Sequence, residues 1–316
     1  MGKYKCYQLL IGLKSLLGTP WQADTIIGHL AWLVAYQEGS SGVKDLLSHF
    51  LEGNPPFVFS DGFPAGLFPR PIGLWRPQAP KDLASYADEK IKRKSEFLSL
   101  AQFEALRRGR EIEIEPIASP WIELETLHST ISRQTGTTSG EAGNLFSTES
   151  WTIKQDLRAN NYPSLSIFVY CFDEWVERIE RWFKDLSLVG YGRDKSVGSG
   201  QFEFAGVQPW DGFGEFDGAN GFISLSNYAP DINDPTEGKW LLNVKYGKLG
   251  ENAGSGSPFK RPLLQVKPGA TFFTGEKPKP FYGGVVKGLA PSFPDSIQIC
   301  YCLAVPCRLK KHELGG

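Results

Sequence analysis

Gly190–Gly200 reads GYGRDKSVGSG, with four glycines, two serines, an arginine and a lysine in eleven residues. Glycines permit positive φ and close backbone approach, so successive N–H groups can point at an anion. Arg193 and Lys195 add charge, and Ser196 and Ser199 add hydroxyl donors. Contacts of this kind go to a sugar–phosphate backbone and position a strand without reading its bases. A Walker-type phosphate loop would need G-x-x-x-x-G-K-[ST] between a strand and a helix. Here Lys195-Ser196 follows Asp194, so that motif is absent. The dinucleotide fingerprint places its glycines after a strand and at a helix start. In this chain an amphipathic helix precedes the loop and the alternating strand QFEFAGV follows it. Both nucleotide readings fail, which leaves a polyanion cradle or a flexible connector.

The other residues capable of chemistry are few. Of the four histidines, His29 lies between Ile26 and Leu33 on the edge of a helix. A general base needs a partner and an exposed position. Neither is visible, and a packing role is expected. His49, His128 and His312 have no regular spacing. Asp24 and Asp61 have metal-binding chemistry, but a helix cap and a turn are their ordinary roles. Cys300 and Cys302 share one face of a strand, with no further ligand pair at zinc spacing, and read as packed thiols. No catalytic residue, metal or cofactor is expected.

The elements that must position these residues come from 316 residues, 41% hydrophobic, 13% aromatic and 22% charged, enough for a sizeable core. The net charge of −1 means that attraction to a polyanion must come from local patches. Lys90–Lys94 (KIKRK), Arg107–Arg110 (RRGR) and Phe259–Lys267 (FKRPLLQVK) are the basic clusters; each alone reads as a solvated face. No apolar run reaches bilayer-spanning length, and KYKCYQLLIGLK lacks a signal-peptide cleavage site. An odd number of cysteines suggests reduced thiols, and a cytoplasmic chain is expected.

A strand is expected over residues 3–13, a helix over Asp24–Tyr36 and a short strand over Phe57–Ser60. The proline-rich stretch SDGFPAGLFPRPIGLWRPQAP must be an ordered loop, docked through Phe63, Leu67, Phe68 and Trp75. A helix over Ser95–Arg108 stops at Gly109. Strands at Glu111–Ile117 and Trp121–Ile131 lead into a long hairpin, with its tip at Thr135–Gly143 and Arg133 and Gln134 at its base. After Asn160-Asn161 the pattern restarts: a strand at Leu165–Cys171, then a helix carrying Trp175, Ile179, Trp182, Phe183 and Leu186. Further strands are expected at Phe222–Asn227, Trp240–Tyr246, Leu263–Val266 and Ile297–Val305. The expected class is α+β, two ferredoxin-like (split β-α-β) domains divided as 1–158 and 159–316.

Gly190–Phe202 (GYGRDKSVGSGQF) resembles the glycine-rich loop of RAMP proteins, the RNA-binding repeat-associated subunits of CRISPR effector complexes. FSDGFPAGLFPRP (Phe59–Pro71) resembles the SDAFP-type signature of the fourth-Csm-subunit family of type III-A complexes, with Gly62 in place of alanine. ADTIIGHLAW (Ala23–Trp32), ISRQTGTT (Ile131–Thr138) and SPFKRPLLQVKPGATFF (Ser257–Phe273) are similar to that family too, and in its order. Residues 72–94 and 228–256 match no family segment.

The resemblance implies a non-catalytic subunit that binds the 5′ repeat-derived handle of the guide crRNA. It would cap the backbone RAMP subunits and dock the large polymerase-like subunit, in antiviral defence. It implies RRM-like RAMP domains, a β-hairpin thumb at about residues 120–155 and a glycine-rich loop at 190–200. RNA contacts are implied at Gly192, Arg193, Lys195, Ser196, Gly198, Ser199 and Gly200 of the loop, at Arg133 of the thumb, and at Lys260 and Arg261. Some relatives cut repeat RNA with a histidine on the equivalent first helix. A metal-independent endoribonuclease using His29 is therefore one alternative, and a protein-binding adaptor without RNA contact is the other.

Overall fold

The computed structural model describes residues 3–76, 79, 82–131, 135–138, 145–154, 163–250 and 257–310. The chain begins with β1 (Lys5–Leu13), α1 (Ala23–Leu51), β2 (Phe57–Phe59), β3 (Phe63–Pro64) and β4 (Leu67–Pro69). It continues through α2 (Leu83–Lys94), β5 (Phe97–Ser99), α3 (Leu100–Arg107) and the hairpin strands β6 (Trp121–Ser129) and β7 (Leu145–Ile153). Next come β8 (Ser164–Cys171), α4 (Asp173–Val189) and β9 (Phe202–Pro209). Seven strands complete it: β10 (Gly221–Ser224), β11 (Gly238–Lys239), β12 (Leu242–Lys245), β13 (Leu263–Val266), β14 (Thr271–Phe273), β15 (Phe281–Lys287) and β16 (Ile297–Cys307).

The first sheet has the order β2-β8-β1-β9, and every pairing in it is antiparallel. With α1 after β1 and α4 after β8, this is one complete ferredoxin-like β-α-β-β-α-β unit. β8 is buried along almost its whole length, as its apolar run requires. α4 turns Ile179, Trp182, Phe183 and Leu186 inward at helical spacing. α1 is longer than expected and bends at Gly39, whose φ of 71° breaks the helical backbone.

This topology corrects the expected division of the chain. β1 is hydrogen-bonded to both β8 and β9, so a cut between residues 158 and 159 passes through a sheet. The glycine loop connects α4 to β9 in this first unit and does not belong to a separate C-terminal half. The restart after Asn161 is the return of a split unit whose second and third strands, β2 and β8, lie about a hundred residues apart in sequence.

The inserted segment carries α2, α3 and the hairpin β6–β7, paired from Trp121↔Ile153 to Ser129↔Leu145. Leu127, Leu145 and Phe146 are exposed on this arm. Around Glu111–Ile117 only an isolated bridge, Phe97↔Ile117, forms where a strand was expected; no continuous edge pairs with it. α2 has no clear signature in the sequence, because its charged residues leave little apolar periodicity. Its KIKRK run keeps Lys90, Arg93 and Lys94 exposed. Arg70 of the proline-rich loop donates to the Lys92 and Arg93 carbonyls (2.9 and 3.0 Å), satisfying the end of α2. Phe63 and Phe68 of that loop are buried, and Leu67 and Trp75 pack against the core.

The second sheet has the order β11-β14-β10-β16-β15. Alternation puts Ile299, Tyr301, Leu303 and Val305 of β16 into the main core with α1 and the first sheet. Cys302 and Ala304 face a smaller core with Phe222, Tyr228, Phe272 and Tyr282. The five cysteines are free, four of them buried, and burial pushes Cys300 up to about 12. They are packed thiols.

Candidate nucleic-acid interface

The glycine loop leaves α4 at Gly190, which has a φ of 86°. Tyr191 is fully buried and stacks on Trp21 with ring centroids 3.8 Å apart. Its hydroxyl donates to the Pro20 carbonyl (3.0 Å) and accepts from the Gln22 N–H (3.3 Å). The neck closes where the Tyr191 N–H donates to the Gly200 carbonyl and the Gly200 N–H to the Leu16 carbonyl. A Cβ on Gly200 would lie 1.9 Å from the Tyr191 oxygen, so only glycine fits there. The loop is therefore anchored at its base, which removes the flexible-connector reading for the neck.

The tip behaves differently from the cradle that the sequence suggests. The Gly192 N–H donates to His29 Nε2 (3.1 Å), and the Gly198 N–H to the Lys195 carbonyl (3.3 Å). The Ser199 N–H donates to the Asp194 carbonyl (3.1 Å). With Gly200 bonded to Leu16, the amides of Gly192, Gly198, Ser199 and Gly200 are all committed within the protein. These glycines shape the loop instead of presenting donors. Lys195–Val197 forms a single 3-10 turn, entered through Asp194. Asp194, at a φ of 61°, is the one non-glycine residue with positive φ among the described residues. Residues in such strained positions cluster at functional loops.

The tip also presents side chains. Ser196, Val197 and Gly198 are exposed, and Lys195 and Ser199 are half-buried. Arg193 is exposed but engaged: Nη2 donates to the Glu149 carbonyl (2.7 Å) and Nε lies 3.1 Å from Asp194 Oδ2. Its own N–H donates to Thr19 Oγ1 (3.0 Å).

His29 reaches the loop from α1. Burial, helped by the nearby Lys195 charge, pushes its imidazole down to about 4, so the ring is neutral at ordinary pH. Its Nε2 is already an acceptor, which opposes a general-base role and agrees with the expected packing role.

Asp24 and Asp61 lie beside the loop's anchor, with roles other than those expected. Asp61 Oδ1 accepts the Ala23 N–H (2.9 Å) and the Asn227 N–H (3.2 Å), so this turn residue caps α1 from a distance. The α1 N-cap residue, Gln22, makes no side-chain capping bond. Burial pushes Asp61 up to about 7. Asp24 accepts from Lys245, from Gln265 Nε2 (3.0 Å) and from Gln298 Nε2 (2.7 Å). N–H donors surround both carboxylates, which is not the chemistry of a metal site.

The second basic patch meets this network. Lys245 also donates to Gln22 Oε1 (2.9 Å) and Thr25 Oγ1 (2.7 Å). Lys260 donates to Gln298 Oε1 (2.6 Å), and burial lowers its pKa. Lys245, Lys260 and Arg261 line one small cleft. Gln22 thus touches both Tyr191 of the glycine loop and Lys245 of this patch, joining the two sites through the start of α1. Arg133 lies outside the described residues. The anchors Thr19, Trp21 and Glu149 were not foreseen. Tyr191, an aromatic residue inside a glycine-rich loop, is the signal that could have pointed to Trp21, on which it stacks.

No protein-family model matches the sequence, and no curated protein matches it. Solved structures do. A chain of a Csm1–Csm4 cassette in complex with pppApA aligns with 96% of this chain and 98% of its own, with a TM-score of 0.58 and 18% identity. The cassette in complex with cA4 gives the same coverage with a TM-score of 0.60 and 17% identity. A chain of a Csm3–Csm4 subcomplex of the type III-A CRISPR-Cas interference complex aligns with 95% of this chain and 100% of its own, with a TM-score of 0.59 and 13% identity. The chain shares its fold with chains of these Csm assemblies. Csm4 is the component that these assemblies share, and the Csm4-like fold extends over nearly the whole chain. No helix among the described residues is long and apolar enough to cross a membrane.

Proposed function

We propose that the chain is a non-catalytic, RNA-binding subunit of a cytoplasmic type III-A CRISPR interference complex, acting in antiviral defence. It holds the 5′ handle of the guide crRNA, docks the large polymerase-like subunit and caps the backbone RAMP subunit. The observation that carries this reading is the fold match, which runs end to end in both directions to chains from Csm1–Csm4 and Csm3–Csm4 assemblies.

The side chains of Lys195, Ser196 and Ser199 contact phosphates at the loop tip, and Lys260 and Arg261 do so in the second patch. Gly192, Gly198 and Gly200 keep the tip narrow enough for a strand to approach, and Arg133 serves the thumb. Arg193 binds RNA only by exchanging Asp194 for phosphate. The exposed apolar side chains of the hairpin arm are surface that a complex would cover. The test is co-purification from the host, with sequencing of the retained RNA and identification of the retained proteins. Partner proteins without RNA would favour the adaptor reading. Repeat-RNA cleavage by the isolated chain under chelator would favour the ribonuclease.

A further inference from the structure

We infer that His29 is a positioning residue for the glycine loop: by accepting the Gly192 N–H at Nε2, it sets where the Arg193–Ser199 tip stands. This rests on the RNA-binding reading of the loop. His29 sits on α1, the helix packed against both α4 and β16, and is therefore carried by an element held from two sides. Its ring lies 4.8 Å from that of Tyr191, the buried anchor of the neck.

Gly192 has little freedom of its own. Its φ is 82°, and a Cβ there would lie 2.7 Å from the Thr19 Cβ. The next amide, Arg193, is held by Thr19 Oγ1. Two side chains, one on each side of the α1 N-terminus, thus hold two successive amides at the point where the chain turns from the anchored neck to the exposed tip. Removing one acceptor leaves a partly buried N–H unsatisfied, which costs more than the bond itself contributes. The loop then relaxes toward water, and the tip side chains lose their common orientation. Acceptance at Nε2 requires a neutral ring with its proton on Nδ1, and burial and the Lys195 charge both favour the neutral form. An Nε2 occupied this way cannot also abstract a hydroxyl proton, so the role is distinct from that of a catalytic histidine.

The test compares the full-length chain with His29→Ala and His29→Gln, the latter retaining an acceptor of similar reach. Gly192 amide exchange and affinity for single-stranded repeat RNA are measured together. In His29→Ala, exchange should accelerate about tenfold or more, as expected for a lost hydrogen bond. RNA binding should weaken by about three- to tenfold with an unchanged salt slope, because no phosphate contact is removed. His29→Gln should restore both. Unchanged Gly192 exchange in folded His29→Ala overturns the inference, whatever the RNA affinity. Accelerated exchange in a chain that binds no RNA upholds the positioning role and overturns the RNA reading. Should His29→Ala fail to fold, nitrogen NMR shifts of wild-type His29 decide the matter. A neutral Nδ1–H tautomer supports the inference, and an Nε2–H tautomer overturns it.

Discussion

Arg193 Nη2 donates to the Glu149 carbonyl at 2.7 Å, so the tip of the glycine loop is tied to the hairpin arm, 44 residues away in sequence. A second tie runs below it, where Leu17 and Trp151 exchange backbone hydrogen bonds of 2.8 and 2.9 Å. The same Ser15–Thr19 stretch holds the loop through Leu16 and Thr19. Loop and arm are therefore mounted on one segment.

The two basic residues of the tip should be told apart by salt dependence and hydrogen exchange together. Lys195→Ala is expected to flatten the salt dependence of RNA affinity by about 0.7, the value for one phosphate on a single strand. Arg193→Ala should in addition loosen the arm, as seen by hydrogen exchange of β7, because its guanidinium holds the Glu149 carbonyl. A folded Lys195→Ala/Arg193→Ala chain with wild-type affinity and slope would show that the tip does not bind RNA.

The glycines should differ in stability. Gly200→Ala combines a positive φ with a Cβ placed 1.9 Å from a backbone oxygen. A loss of about 3 kcal/mol or more is expected. At Gly198 a Cβ meets open space and only the φ of 97° opposes it, so Gly198→Ala should cost about 1 kcal/mol. Urea denaturation of both variants measures this, and equal losses would contradict the packing described.

Two buried groups should give opposing pH dependence. Unfolded His29 takes up a proton near 6.5, but the folded residue does so only at about 4, so its contribution lowers stability as pH falls through that window. Asp61 releases its proton near 3.8 when unfolded but at about 7 when folded, so its contribution lowers stability as pH rises through that window. Each slope is up to about 1.4 kcal/mol per pH unit, and they oppose each other between about 4 and 6.5. Relative to wild type, His29→Gln should tilt the stability profile downward with rising pH, and Asp61→Asn downward with falling pH. Thermal melts across that range report the tilt, and parallel profiles for all three chains would refute it.

Lys245→Met should destabilise the protein by about 3–5 kcal/mol, because it leaves the fully buried Asp24 carboxylate without its cation. Adding Asp24→Leu should recover much of the loss by removing the stranded charge. Denaturant melts of the single and double variants measure both steps, and a double variant as unstable as the single would contradict this pairing.

The sequence by itself determined the elements around the site. Trp182, Phe183 and Leu186 recur at helical spacing, QFEFAGV alternates, and the glycines between them must be a loop, because these patterns depend only on neighbours in the chain. The SDGFP stretch and the PFKRPLLQ segment were likewise legible as special, although α2 was hidden by its charge. Tertiary structure alone decided how the pieces are used. Nothing local says that Asp61 caps α1, or that the strand at Leu165 returns to β1 across the expected division. Nor does it say that the loop's amides are spent on Leu16 and His29, which lie 184 and 163 residues away from their donors. A glycine-rich string specifies backbone freedom, and only the acceptors that folding brings beside it decide which N–H groups remain for a ligand.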